Sequence, residues 1–235
     1  MTRWKPFFFV ALAGLLASGC ASGDGSLLDV FGKGPLDTET IVAGLKQALE
    51  VGTNNAVKTT SRTGGYWDNL ALRILMPEKL KSVASTLRKV GLGGQVDAFE
   101  RKMNEAAESA ASQAAPIFIN AIKNMTFADA KGILSGPDTA ATDYFRAKTS
   151  QALTALYLPV VKTKMRELGV MKAYDDLLAE YLRLPLVPKP TVSIEQYVTD
   201  KGLAGLFNVL GEEERQIREN PAARTTALLR RVFGD

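Results

Sequence analysis

From residue 37 to residue 234, apolar side chains recur at intervals of three and four, the period of a helix that buries one face. The first run, Ile41, Leu45, Ala48, Leu49, Gly52 and Ala56, follows Asp37, whose carboxylate suits an N-cap. Gly64 and Gly65 interrupt it. Tyr66 to Met76 carries the weakest helical period and reads as an extended stretch before Pro77, a residue suited to the first turn of a helix ending near Val90. Gly91, Gly93 and Gly94 break the chain again before a helix with Val96, Phe99, Met103, Ala107 and Ala110 on one side. Pro116 opens a short apolar helix, and Thr126 with Asp129 has the spacing of a capping box for another that ends at Gly136. Asp138 is placed to cap a helix carrying Tyr144, Phe145, Ala152 and Leu156, which Pro159 kinks or restarts and Gly169 stops. Met171, Tyr174, Leu177, Leu178 and Tyr181 give one more amphipathic face, and Pro185 to Pro190 reads as a loop. Ser193 and Gln196 form a second capping-box pattern, opening the longest run, Ile194 to Ile217. Asn220 and Pro221 start a final helix that Gly234 ends. No convincing alternation of period two appears. The expected fold is therefore all-α: a single domain of about nine helices over residues 37–235.

The first residues follow a different pattern. Arg3 and Lys5 precede an apolar run from Phe7 to Leu16 and the small residues Ala17, Ser18 and Gly19, the layout of an export signal over residues 1–19. The run is short of the roughly 20 residues needed to span a bilayer. Leu16-Ala17-Ser18-Gly19-Cys20 resembles the bacterial lipobox, with Ala17 where Leu is most usual. The resemblance implies a diacylglycerol thioether and an amide-linked acyl chain on Cys20, and two acyl chains hold a protein stably on a membrane. The alternative is ordinary cleavage after Gly19 or Ala21 with an incidental thiol. Ala21, in a place where Asp would retain an enterobacterial-type lipoprotein at the inner membrane, points to the outer membrane facing the periplasm. Residues 20–36, rich in Gly and Ser, read as the lipidated cysteine and its flexible tether.

Composition removes many chemistries. The chain has no His and one Cys, so a Ser-His-Asp triad, an imidazole base, a His-ligated zinc site and a thiolate metal site are all excluded. Neither a cofactor nor a metal is expected, and no catalytic residue is singled out. Carboxylate, Lys, Tyr, Ser or Thr chemistry stays open. The signal takes two of the 29 basic residues and none of the 25 acidic ones, leaving a formal charge of +2. That near-balance gives no electrostatic footprint for nucleic acid. The membrane, through Cys20, and a protein partner or an apolar ligand are the expected partners.

Three groups of polar residues are candidates. Asp97, Arg101, Asn104 and Glu108 form a stripe opposite Phe99 and Met103: either a solvated face with an Asp97–Arg101 pair, or a polar seam against another helix or a ligand. The helix carrying Asp143 and Tyr144 is the expected partner of such a seam. Glu212, Glu213 and Glu214 are adjacent on a helix and so point about 100° apart, which disfavours convergence on a metal and favours a surface Glu214–Arg218 ion pair. Tyr66, Trp67 and Asn69 suit either a recognition surface or a loop packed by its own aromatics.

Several segments in order resemble the bacterial proteins grouped as domain of unknown function 4197, many of them predicted lipoproteins: Gly44 to Leu49, Met103 to Glu108, Ala128 to Leu134, Ala140 to Phe145, and Gly205 to Phe207 followed by Glu212 to Glu214 and Ile217-Arg218. The family's Asn-Arg-Ala-Ala-Glu segment has Glu105 in place of Arg here, so no role of that Arg carries over. The resemblance implies no activity. The functional expectation is a cell-envelope lipoprotein with a helical binding or interaction domain, against the alternative of a carboxylate-based enzyme acting on an envelope substrate.

Overall fold

The computed structural model describes residues 38–183, 191–220 and 230. Their helices are α1 (Thr38–Ser61), α2 (Lys81–Lys89), α3 (Gly93–Ala111), α4 (Ala115–Lys123), α5 (Phe127–Leu134), α6 (Ala140–Glu167), α7 (Val170–Leu182) and α8 (Ile194–Glu219), with one 3-10 turn at Glu78–Leu80. The all-α class holds, and no strand occurs among the described residues. These residues hold fewer helices than the nine or so expected. The last of those, opened by Asn220 and Pro221, lies outside them, as do the Asp37 cap, the loop of residues 185–190, the export signal and Cys20.

α8 packs on α1, α3 and α6, and α3 also touches α1, α2 and α7, so these two helices form the middle of the domain. Each is shaped for the place. α3 turns Ala106, Ala107, Ala110 and Ala111 inward beside Phe99 and Met103, all fully buried. Small side chains let neighbouring backbones come close, while the large ones supply about 1.5 to 3 kcal/mol each on burial. On α8, Gly202 and Gly205 are buried, and Phe207 meets the ring of Phe118 edge-on at 6.0 Å. Phe118 in turn meets Phe145 edge-on at 5.3 Å, tying α4, α6 and α8 together.

Local signals explain several boundaries. Thr126 and Asp129 form a reciprocal capping box at α5. Gly169, at φ 65°, takes the left-handed conformation between α6 and α7. Ser193 accepts from the Gln196 N–H, but the Gln196 side chain turns instead to Asp200 at 2.8 Å, so only half of that box forms. α6 runs through Pro159 without restarting. Asp138 does not cap it: the residue before its first turn is Thr139, whose side chain makes no capping bond, and the free N–H groups of Ala141 and Thr142 are met from α8 by Glu214.

Candidate functional site

Between α1 and the 3-10 turn, residues 62–77 form a strap without regular secondary structure. Its entry is a turn in which Gly64 adopts φ 76°, and a side chain on Gly65 would come within 2.5 Å of the Thr59 carbonyl oxygen. Tyr66 then drops fully into the interior and donates its hydroxyl to the Gly202 carbonyl at 2.6 Å. Its ring occupies the place that a side chain on Gly205 would need, since a Cβ there would lie 2.6 Å from Tyr66 Cε1. The missing side chain of Gly205 therefore creates the slot that anchors the strap.

A chain crossing the domain without helix or sheet must find partners for its buried N–H and C=O groups. α3 supplies them from side chains one turn apart. Glu108 Oε1 accepts from the Tyr66 and Trp67 N–H groups at 3.1 and 3.3 Å, and Oε2 accepts from Gly64 N–H at 3.2 Å. Asn104 takes both polar groups of Ile74: its Oδ1 accepts from the N–H and its Nδ2 donates to the C=O, each at 2.8 Å. Nδ2 also donates to the Glu100 carbonyl at 2.7 Å. Glu100 Oε1 accepts from Met76 N–H at 2.9 Å, and its Oε2 accepts from Arg88 at 3.4 Å. The registers agree because four helical residues rise about 6 Å and two extended residues span about 6.6 Å. Residues 74–76 thus run antiparallel to α3. Leu72, Ile74 and Met76 are buried, while Leu75 is 53% exposed.

All three ladder residues are buried, Asn104 completely. Burial raises the Glu108 carboxyl above its ordinary 4.5, against the lowering effect of the three N–H donors, and the charge of Glu105 adds to the rise. Burial raises Glu100 as well, opposed by Met76 N–H and Arg88. Outside the ladder, Trp67 is capped by guanidinium groups: Arg73 lies 4.7 Å and Arg101 4.9 Å from its ring centroid, and Arg73 also donates to the Trp67 carbonyl.

The face of the strap away from α3 borders a groove of about 480 Å³ against α8. Leu75, Lys81, Tyr197, Lys201, Ala204 and Asn208 are among its walls. Tyr197 donates its hydroxyl to the Leu75 carbonyl at 3.0 Å. A second cleft, of about 580 Å³, lies beyond Glu108 and is lined by Glu105, Ser109, Ser112, Lys164 and Glu167.

The expected sites meet this geometry unevenly. Asn104 and Glu108 lie on one seam, but the strap covers it, not the helix carrying Asp143 and Tyr144. Asp143 is exposed and accepts from the Thr139 hydroxyl at 2.9 Å. Tyr144 donates to the Ala121 carbonyl at 3.4 Å on α4. The expected Asp97–Arg101 pair gives way to Asp97 with Arg88 at 2.6 Å, because Arg101 lies over Trp67. Tyr66 is a buried anchor, not a surface residue. Glu214 does pair with Arg218 at 2.8 Å, but in the interior: their side chains are 6% and 17% exposed. Arg218 also donates to the Ile133 carbonyl at 3.0 Å. Glu212 pairs with Arg215, and Glu213 accepts from Asn55 at 2.8 Å. Among the described residues no cluster of His, Cys, Asp and Glu is arranged to hold a metal, and no helix is long and apolar enough to cross a membrane. Sequence reasoning missed Glu100, Gly202, Gly205 and Tyr197. The spacing Glu100, Asn104, Glu108, one turn apart beside Phe99, Met103 and Ala107, is the signal that would have found the first.

Compared with known proteins, residues 35–234 match the family model described as "Protein of unknown function (DUF4197)", and the chain belongs to that family. No curated protein and no solved structure matches it.

Proposed function

We propose that this member of the family is a lipid-anchored cell-envelope protein whose helical domain is a rigid binding module for a protein partner, the groove between the strap and α8 being its binding face. The observation that carries the reading is the division of labour across the strap. Its α3 side has its polar groups tied down by Glu100, Asn104 and Glu108, while its other side presents Leu75, 53% exposed, along a preformed groove. Leu70, at the same strap's outer turn, is 83% exposed. Exposed apolar side chains beside a concave surface with a few polar groups suit recognition. The three buried carboxylates suit catalysis poorly, since Glu100, Glu108 and Glu214 each hold backbone N–H groups that a proton transfer would release.

Attachment rests on the pattern around Cys20, and the outer membrane facing the periplasm is the proposed address. The two halves of the proposal are tested together in intact cells. With Cys20→Ser the protein should lose palmitate label and leave the membrane fraction. A photo-crosslinking side chain at Leu75 or Asn208 should give discrete protein adducts that the same group at Lys131, on α5, does not. A wild-type protein that carries no lipid overturns the anchor, and adducts indifferent to position overturn the binding face.

A carboxylate enzyme is favoured by one observation: Glu105 and Glu167 line the same cleft with Lys164 and two serines. Lys164, however, lies 2.7 Å from Glu167 in an exposed pair. If Glu105→Gln and Glu167→Gln each fail to complement a deletion strain while groove variants succeed, this second reading replaces the first.

A further inference from the structure

We infer that the groove takes an extended, acidic peptide segment, which adds to the strap as a second strand. The inference rests on the binding reading above and names the partner's chemistry. In an extended chain, the N–H and C=O of successive residues point to opposite sides. Ile74 directs both of its groups to Asn104 and Met76 its N–H to Glu100, so Leu75 directs its own pair away from α3, towards the groove. The Leu75 carbonyl accepts from Tyr197, which fixes that orientation. Its N–H donates to no acceptor among the described residues. Such an edge is a template for strand addition: a peptide carbonyl takes the Leu75 N–H, and a peptide N–H shares the Leu75 carbonyl, which has a second lone pair.

The opposite wall has room for side chains, since α8 presents the small, exposed Ala204 there. Charge selects among peptides. Of the charged groups lining the groove, Lys81 is paired with Glu78 at 2.7 Å, while Arg73 and Lys201 form no ion pair among the described residues. Arg73 lies over the Trp67 ring, donates to the Trp67 carbonyl and interacts with the Glu100 charge, and Lys201 lies 5.8 Å from the Tyr197 ring centroid. Two cations outside any ion pair among the described residues, Lys201 the more exposed, are complementary beside a strand edge to carboxylates alternating along an extended chain. An acyl chain would use neither the N–H nor the cations.

The test is fluorescence anisotropy on the full chain with a labelled heptapeptide of alternating Val and Glu, its Val and Lys counterpart, and a Val and Glu version N-methylated at alternate bonds. The acidic peptide should bind saturably, with the Lys and N-methylated forms at least about tenfold weaker. Leu75→Pro removes an N–H that the fold does not use together with the exposed Leu side chain, and should weaken the acidic peptide by a similar factor with unchanged circular dichroism, whereas Leu75→Ala, which keeps the N–H, should weaken it less. Lys201→Glu, an exposed change, should shift preference towards the Lys peptide and keeps the test decisive if the proline variant misfolds. Absence of saturable binding, equal binding of the three peptides, or displacement by laurate but not by excess unlabelled acidic peptide overturns the inference. Self-association of the full chain through this edge, seen as a concentration-dependent dimer that Leu75→Pro abolishes, also overturns it. Discrete adducts from Leu75 in cells together with failure of the peptide arm would reject the inference and leave the binding reading standing. Failure of both would reject the binding reading.

Discussion

Glu108 and Glu214 each gather backbone N–H groups from an element distant in sequence, under different electrostatic conditions. Glu214 accepts from Ala141 and Thr142 at the first turn of α6, where unsatisfied N–H groups and the helix dipole favour an anion. It also takes the Thr142 hydroxyl at 2.8 Å and has Arg218 as a counter-charge. Glu108 accepts from three N–H groups of an irregular turn and forms no ion pair among the described residues. Glu214 therefore joins two helices and, through Arg218, the end of α5. Glu108, with Asn104 and Glu100, substitutes for the missing sheet neighbour of a strap. A buried acid is tolerated in both places because the donors around it replace the water it loses, but only one of them also has its charge neutralised.

That contrast makes the helix clamp the costlier one to cut. Glu214→Ala removes the carboxylate that Arg218 pairs with and leaves two N–H groups without acceptors, and should destabilise the domain by about 3 to 5 kcal/mol in urea denaturation. A loss below about 1 kcal/mol would mean that water replaces the carboxylate easily and that the two clamps are alike. Asn104→Ala strands the buried N–H and C=O of Ile74 and should cost about 2 to 4 kcal/mol, with the strap becoming the first site of proteolysis. A near-neutral mutant would show that Tyr66, Glu100 and Glu108 hold the strap without Asn104.

The third change separates charge from hydrogen bonding. Glu108→Gln keeps one acceptor oxygen and removes the uncompensated charge, and should change stability by no more than about 1 kcal/mol at pH 7. Its pH dependence carries a definite sign. The folded Glu108 carboxyl titrates above the unfolded value near 4.5, so its contribution to stability is complete below that value and is lost as pH rises through the folded pKa. Relative to wild type, the Gln variant should therefore gain stability between pH 4.5 and 7. Asp129, held below its ordinary value by the Thr126 hydroxyl and N–H, works oppositely: its contribution is lost as pH falls. A Gln variant that loses ground with rising pH would show that the N–H donors outweigh burial at Glu108. The smallest effect belongs to Asp143→Ala, since the residue is exposed and bonded only to Thr139; a change within about 0.5 kcal/mol is expected. A larger one would restore Asp143 to the seam.

Helices were legible where a local pattern suffices. The three-and-four spacing of Leu45, Ala48, Leu49, Gly52 and Ala56 marks the buried face of α1, and the Thr126–Asp129 box marks the start of α5. The unhelical character of Tyr66 to Met76 was readable too. The candidate site was only half readable. Asn104 and Glu108 stood out as polar residues on one stripe, but the same stripe on an isolated helix is as compatible with water as with a partner. Glu100 was overlooked because it neighbours Phe99 on a face that, by periodicity, belongs to the core.

By itself, the sequence determined what depends on neighbours within a turn: the all-α class, most helix starts and stops, and the chemistries excluded by the lack of His. Only the tertiary structure decided which element covers the polar stripe, why Gly202 and Gly205 lack side chains, and which side of Leu75 is left free. The reason is physical. A capping residue satisfies groups three positions away, and a periodic face follows from helix geometry, so both are written locally. The acceptor for Ile74 lies 30 residues away and the slot for Tyr66 136 residues away, and no pattern in the intervening residues records that these groups meet.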